Sequence, residues 1–436
     1  MQLLLHKRGS LAQEYLCKIG FAIFCVCAVF GELITAAISI KLLFLMHLGA
    51  VICLVLGAPF SLKSKPIQLI AAWGIFTAFF VLLRNQNDYS QYATIKWLFY
   101  ALMILLIPMC PKYLYRPFLK TLGGVAFINV FFTYFFFVFR GKYRIMYRIW
   151  DKWPTGTFEG EAGYHAGIDN HYSQNAMVVA ICLIVVASFL IAYLPKKDKR
   201  KTGTLVALAA VVMVALLLTN KRAHLLFGIA AILFGYMVPV PKHRLKNTLQ
   251  AIGIGVVLVA AFLLLAPRIP VLNELLERFT SATSGEDGNT MARFEFWKLA
   301  FQNFLEHPLI GIGWGGFPKE YHEHLYFFNP AENNYPYLHA HNVYVQLLCE
   351  CGIIGTLLYL STAVDWFIKT IRLFDKKLRR ISSEYEVVIF SVIMQTFFYM
   401  YCLTGNCLYD RMFSFYVIAI GFTVGLYAQK DIVDLF

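Results

Sequence analysis

Twelve uninterrupted apolar stretches constrain this chain more than any other feature: roughly 19–37, 42–60, 67–83, 92–110, 117–139, 174–194, 203–219, 225–240, 247–266, 342–367, 386–404 and 412–428. Most reach or approach the roughly 20 residues that a helix rising 1.5 Å per residue needs to cross about 30 Å of hydrocarbon. Barrel strands need only about 10 residues and alternate in polarity, so these runs predict helices and exclude a β-barrel. Composition agrees, because a chain of 436 residues that is 59% hydrophobic and 15% charged has more apolar surface than a soluble core can hide. The prediction is an all-α integral membrane protein with about 12 transmembrane helices, one polytopic unit over residues 1–436. The first run is long, carries Glu32, lacks a small-residue cleavage pattern and is followed at once by another, so it reads as a span rather than a removable signal. Ten cysteines sit inside or at the ends of the apolar runs and act as small hydrophobes, not as a disulfide framework. No fixed-period repeat or low-complexity tract is visible.

The net charge of +14 bears first on topology rather than on nucleic acid. With the N-terminus inside, 23 of the 39 lysines and arginines fall on inner connections and 15 on outer ones, the inner excess coming from short linkers such as KKDKRK and KKLRR. Both termini are therefore expected in the cytoplasm. Two outer segments are too long to be turns, 140–173 and 267–341, the second preceding the tenth span. Chemistry is expected there. In the larger one, Phe294, Trp297, Phe301, Phe304 and Leu305 have the spacing of an amphipathic helix that would lie along the outer membrane surface, and GIGWGGFP follows as a turn-rich stretch.

Outer cations stand out. Lys221 and Arg222 occupy the turn NKRAH, and Arg293 opens the amphipathic helix. Arginine keeps its proton at an apolar surface and meets phosphate oxygens with a planar fork of donors, so these residues suit an anionic ligand; headgroup anchoring is the alternative. The stretch RGKYRIMYRIWDKW, beginning at Arg140, favours anchoring more strongly. His341 stands at the mouth of the tenth span. If the helix starts there, Val345, Leu348, Gly352 and Gly355 fall within about 40° of its face, and the glycines would admit a neighbouring helix. Glu350 lands about 180° away and is expected to pair elsewhere in the bundle. A helix N-terminus disfavours imidazolium, so a neutral, proton-accepting His341 is expected. His322, His324, His339 and His341 form two H-x-H pairs, a spacing that can hold zinc in extended chain, but no H-E-x-x-H accompanies them and no metal is assigned. A G-x-x-x-x-G-K-[ST] phosphate loop and a D-x-D pair are also missing from the sequence.

TNKRAHLL (219–226), ARFEFWKLAFQNFLEHPLIGIGWGGF (292–317) and HAHNVYVQLLCECGIIG (339–355) resemble the O-antigen ligase and Wzy-type polysaccharide polymerase superfamily. His341, Asn342, Gly352 and Gly355 match its H-[NSQ]-x9-G-x-x-G pattern, and Arg222 to Leu226 matches its R-x-x-x-L element. The likeness covers roughly 170–430. It implies a membrane glycosyltransferase bundle of the GT-C-like kind with a large extracytoplasmic loop before the tenth helix, in the cytoplasmic (inner) membrane of a bacterium, with its site facing outward. It implies inverting glycosyl transfer from an undecaprenyl-pyrophosphate-linked oligosaccharide to an acceptor glycan lipid, without metal, nucleotide or other cofactor. The implied roles are Arg222 and Arg293 on the pyrophosphate and His341 on the acceptor hydroxyl, with Lys221, Asn342, His339, Arg140 and Tyr164 as further substrate-binding residues. Membrane lipids and a chain-length regulator would be partners; nucleic acid would not. LTGNCLYDRM (403–412) and KRAHLLF look more like capsule and exopolysaccharide polymerases than ligases, which favours polymerisation over transfer to lipid A core. Tyr89, Tyr164, Asp169, Asn170 and Tyr409 are candidates for a glycan groove. A flippase or secondary transporter is the reading from another class, but paired repeats are missing and the one large loop makes the halves unlike. A scaffold would leave the Arg and His cluster without a task.

Overall fold

The computed structural model describes residues 11–58, 70–85, 88–150, 165–169, 171–196, 198–238, 244–284, 288–326, 338–374 and 384–433. Each of the twelve apolar runs coincides with a helix. In chain order these are α1 (Leu11–Ala37), α2 (Ile40–Gly57), α3 (Ala71–Phe76, continued by a wider turn over Thr77–Leu83), α4 (Asp88–Leu106) and α5 (Tyr115–Val138). A short helix, α6 (Arg144–Trp150), precedes α7 (Tyr172–Tyr193), α8 (Lys199–Leu218), α9 (Arg222–Met237) and α10 (Arg244–Leu265). Three helices then fill the large connecting segment: α11 (Pro270–Ser284), α12 (Gly288–Glu306) and α13 (Gly316–Tyr326). The bundle closes with α14 (Val343–Arg372), α15 (Tyr385–Tyr401) and α16 (Met412–Val433). Seven of the helices are long and apolar enough to cross a membrane, and five shorter apolar helices account for the other runs. The protein is an all-α integral membrane protein.

Burial sorts the helices. α7 is apolar on every side and packs against α5, α8, α9 and α15, so it is interior. α10 is equally apolar yet leaves the consecutive Val256, Val257, Leu258 and Val259 exposed, as a peripheral helix that meets lipid on most of its sides should. Aromatic rings bind the segment after α12 into the bundle. Trp314 lies 4.8 Å from Trp97, which stacks on Phe413 at 4.5 Å and on Trp73 at 4.9 Å. On its other side Trp314 stacks on Tyr409 at 4.8 Å, and Tyr409 on His339 at 4.3 Å.

The backbone reason for that docking is a break in α14. Gly352 (φ 61°, ψ −169°) interrupts the helix, freeing the carbonyls of Cys349 and Glu350 and the N–H groups of Ile353 and Ile354. Residues 308–313 take up all four: Ile312 and Gly313 donate to Cys349 and Glu350 (both 2.9 Å), while Ile353 and Ile354 donate to Pro308 and Leu309 (2.8 and 3.1 Å). Trp314 N–H donates to the Arg84 carbonyl (3.0 Å) and the Arg84 guanidinium to the Gly311 carbonyl (2.8 Å), so the turn after α3 holds the same segment. This corrects one expectation. Gly352 admits a loop strand, not a neighbouring helix, and Gly355 lies against the Phe80 ring.

The α12 stripe also differs from the spacing. The face packed on α14 carries Phe296, Ala300 and Asn303, whereas Phe294, Phe301 and Leu305 point outward and continue into exposed Leu309 and Ile310.

A buried ion pair ties four elements together at the end of the bundle that holds these loops. Arg411 Nη2 meets Asp169 Oδ1 at 2.7 Å, while Nε donates to Gln174 (2.9 Å) and Nη1 to the carbonyl of Val29 (2.5 Å). Asn129 donates to the other Asp169 oxygen at 2.8 Å. Both charges are almost fully buried, so removing one strands the other, a loss of about 3–5 kcal/mol. Arg411→Met is expected to lower the melting temperature in detergent sharply, and Arg411→Met with Asp169→Asn to recover much of the loss. A double-variant loss equal to the sum of the losses of Arg411→Met and Asp169→Asn alone would show that the pair is not coupled.

Candidate functional site

Five segments converge at that end: residues 165–169 and 171 before α7, the turn 219–221 between α8 and α9, α12, residues 338–342 before α14, and 402–411 between α15 and α16. Among the described residues, Asn220 (φ 53°) and His341 (φ 52°) are the non-glycine residues with positive φ. Both flank this site. Such backbones cost of order 1–3 kcal/mol and gather where neighbouring structure enforces them for function.

The helix begins near His341 as expected, but the histidine itself stands outside it and does not continue its face. Asn342 caps α14, its side-chain oxygen accepting from Tyr344 and Val345 N–H at 3.0 and 3.2 Å, and the left-handed turn at His341 carries the imidazole clear of the helix face. The His341 N–H donates to Asn406 Oδ1 (3.0 Å), and Val343 N–H to the Cys402 carbonyl (2.9 Å). From the opposite side Trp297 Nε1 donates to the Ala340 carbonyl (2.9 Å), and Phe296 stacks on the His341 ring at 6.2 Å. The 402–411 loop and α12 therefore clamp the histidine between them.

The turn carrying Lys221 and the helix carrying Arg293 meet at this ring. Burial pushes the His341 imidazole down to about 4, helped by the positive charges of Arg293 and then Lys221. Neutral His341 was expected from the helix terminus, but burial and two cations produce it. Lys221 is lowered in turn, by burial first and then by Arg293 and Arg222, while Tyr172, whose ring centroid lies 4.7 Å beneath Nζ, favours the charged form. Lys221, Arg222, Arg293 and His341 thus form one electrostatically coupled group. Like charges held together in partly buried surroundings build a potential that an anion relieves.

Other expected residues have different positions. Besides capping α14, Asn342 leaves only its amide nitrogen for a ligand. His339 is buried, with Nδ1 at 2.9 Å from Gln346 Nε2, whose nitrogen also bonds Glu350 at 3.0 Å; burial and then His341 lower it to about 3. Glu350 also accepts from the Tyr409 hydroxyl and from Phe317 N–H (3.3 Å), so it pairs within the bundle as expected. His339 and Tyr409 thus belong to a buried network under the site, and Asp169 to the Arg411 pair, rather than to a groove wall. Arg140 is exposed over the Phe137 ring at 5.8 Å and is not among the charges acting on His341. Tyr164 and Asn170, with the side chains of Tyr89, His322 and His324, lie outside the described residues. His339 and His341 stack on different partners, Tyr409 and Phe296, so their H-x-H does not present both rings to one face.

Three groups were missed by reading the sequence: His171 and Tyr172 at the start of α7, and Asn406. Tyr172 in front of an apolar run reads as an interfacial anchor, and only the fold brings it under Lys221. Asn220 and His224, on either side of Lys221 and Arg222, are fully or nearly fully buried, and none of their side-chain nitrogens or oxygens has a hydrogen-bond partner among the described residues. Each such group costs about 1–3 kcal/mol, a local sacrifice of stability of the kind found at functional sites.

Residues 207–360 match the family model described as O-antigen ligase, a stretch that runs from α8 to the middle of α14 and includes Lys221, Arg222, Arg293 and His341. No curated protein matches the chain. Residues 207–360 therefore carry the domain of the O-antigen ligase and Wzy-like superfamily, and the chain is a multi-pass membrane protein of O-antigen ligase- or polymerase-type function.

Proposed function

We propose that the protein is an inverting, metal-independent glycosyltransferase on the outer face of the cytoplasmic membrane, moving a glycan from undecaprenyl pyrophosphate to an acceptor sugar hydroxyl. The observation that carries this reading is the His341 ring, clamped between α12 and the 402–411 loop, within reach of Arg293 and Lys221, with Arg222 acting on Lys221 in turn. The cations bind the pyrophosphate and stabilise the charge that gathers on it as the bond to the anomeric carbon breaks. His341 accepts the acceptor proton while the hydroxyl oxygen attacks the anomeric carbon from the opposite face. One C–O bond forms and one breaks; the electron pair leaves on the phosphate oxygen, and the imidazolium returns its proton to solvent. The Lys and Arg excess on the other set of connections supports the outward orientation.

Polymerisation of lipid-linked repeat units is the favoured form. The 403–412 segment that resembles polymerases forms a wall of the site, since Asn406 holds His341. Purified protein in detergent, given an undecaprenyl-pyrophosphate repeat unit of the native sugar in the presence of EDTA, is expected to produce a ladder of lengthened products. Product only after addition of lipid A core would mean ligation instead, and loss of the ladder in EDTA would contradict the metal-free mechanism.

A further inference from the structure

His171 occupies an unusual position. It is the cap residue of α7 (φ −145°, ψ 134°), and its ring does the capping: Nδ1 accepts from the backbone N–H of Ser173 at 2.9 Å. An accepting Nδ1 has no hydrogen, so the neutral ring carries its proton on Nε2, and that atom has no partner among the described residues. The ring stacks on Tyr172 at 4.6 Å with 23° between planes, and Tyr172 in turn supports Lys221 Nζ. Burial lowers the imidazole to about 4, and Lys221 and His341 both add to the effect, which places His171 within electrostatic reach of the anion-binding lysine and of the acceptor-facing histidine.

His171 shares the surroundings of both groups, Lys221 through Tyr172 and His341 by charge, and in the reaction proposed above the anomeric carbon and its leaving oxygen must lie near both. We propose that His171 donates its Nε2–H to the phosphate oxygen that departs from the anomeric carbon, acting as a neutral hydrogen-bond donor of fixed tautomer. No proton changes hands: the C–O bond breaks heterolytically, the pair stays on the phosphate oxygen, and the hydrogen stays on Nε2. A neutral donor suits this place. It adds nothing to the charge attraction that already holds the ground-state pyrophosphate, and its hydrogen bond strengthens only as negative charge develops on the oxygen it faces. The Ser173 contact supplies the preorganisation, because protonating or flipping the ring would break the cap.

The assignment rests on the glycosyl-transfer reading, and a pair of substitutions separates the donor from the cap. Asparagine is among the best helix caps but is too short to replace Nε2, while glutamine places an amide N–H near that position and caps poorly. His171→Asn is therefore expected to keep the wild-type melting temperature and KM while losing about 10²-fold in kcat. His171→Gln is expected to melt earlier and yet recover part of that kcat. A capping role alone reverses the order, with Asn at wild-type turnover and Gln the impaired variant, and that result would overturn the assignment. Wild-type protein that makes no product from the native lipid-linked donor, with or without an acceptor lipid, would sink the glycosyl-transfer reading itself. Wild-type turnover beside an undiminished Asn variant would sink His171 alone.

Discussion

His341→Asn is expected to lose about 10²–10⁴ of kcat, the range for a positioned general base, with KM for the lipid-linked donor little changed. Asparagine is the appropriate replacement because it tolerates the left-handed backbone that the turn requires, so the loss reports the ring and not a strained turn. His341→Gly keeps the same backbone without strain, and added imidazole should restore part of its activity. The pH profile carries the sharper information. In the free enzyme the ring titrates at about 4, held down by burial and by Arg293 and Lys221, so kcat/KM should stay level at neutral pH and fall only as pH drops through that region. A bound pyrophosphate offsets the two cations and lets the ring bind a proton more readily, which moves the acid limb of kcat to higher pH than that of kcat/KM. The base thus strengthens when the donor is in place. Coincident limbs would mean that the donor phosphates do not lie beside Arg293 and Lys221, and full activity in His341→Asn would remove the histidine from the chemistry.

Hydropathy alone located the twelve helices, because a lipid-facing or bundle-buried helix must be apolar over its length and leaves that trace in the sequence. It was silent on which were interior. α7 and α10 are equally greasy, but one is packed on all sides and the other meets lipid, and nothing in their composition separates them. The Lys221, Arg222, Arg293 and His341 set was legible as a candidate from residue type, since cations between apolar runs and a histidine at a span mouth are chemically conspicuous. Their arrangement was not. A helical wheel placed His341 above Gly352, whereas the histidine leaves the helix through a left-handed turn and the glycine breaks the helix eleven residues further on. Both features depend on partners distant in sequence, Asn406 for one and residues 308–313 for the other. The α12 stripe misled for a related reason. The helix has apolar residues on two faces, and α14 takes the one where Ala300 permits close approach, leaving the bulkier Phe294, Phe301 and Leu305 outside. His171 went unnoticed because its value lies in a tautomer fixed by a backbone contact.

Gly352→Ala is expected to be the most damaging single-methyl change in the protein. A Cβ at this position would stand 2.4 Å from Ile310 N and from the Leu309 carbonyl carbon, on a backbone (φ 61°, ψ −169°) that only glycine adopts without strain. Gly311 is its counterpart: at φ 66°, its Cβ would meet the backbone carbon of Glu350 at 2.4 Å. The two glycines interlock, so neither chain can move aside without giving up the hydrogen bonds that satisfy the broken turn of α14. Strain together with several unmade buried hydrogen bonds gives a loss of more than about 3 kcal/mol. The effect should reach the chemistry as well, because the same segment delivers Trp314 to the Tyr409–His339 stack and anchors the C-terminal end of α12, whose Phe296 supports His341. The expected signature is a large drop in melting temperature in detergent, new proteolytic cleavage within 307–316, and loss of turnover. Gly253→Ala is the control, since a Cβ on that glycine of α10 meets nothing within 4 Å and should be neutral or slightly stabilising. If Gly352→Ala melts and turns over like Gly253→Ala, the loop is not held by the break in α14, and the positioning of His341 must come from the 402–411 loop alone.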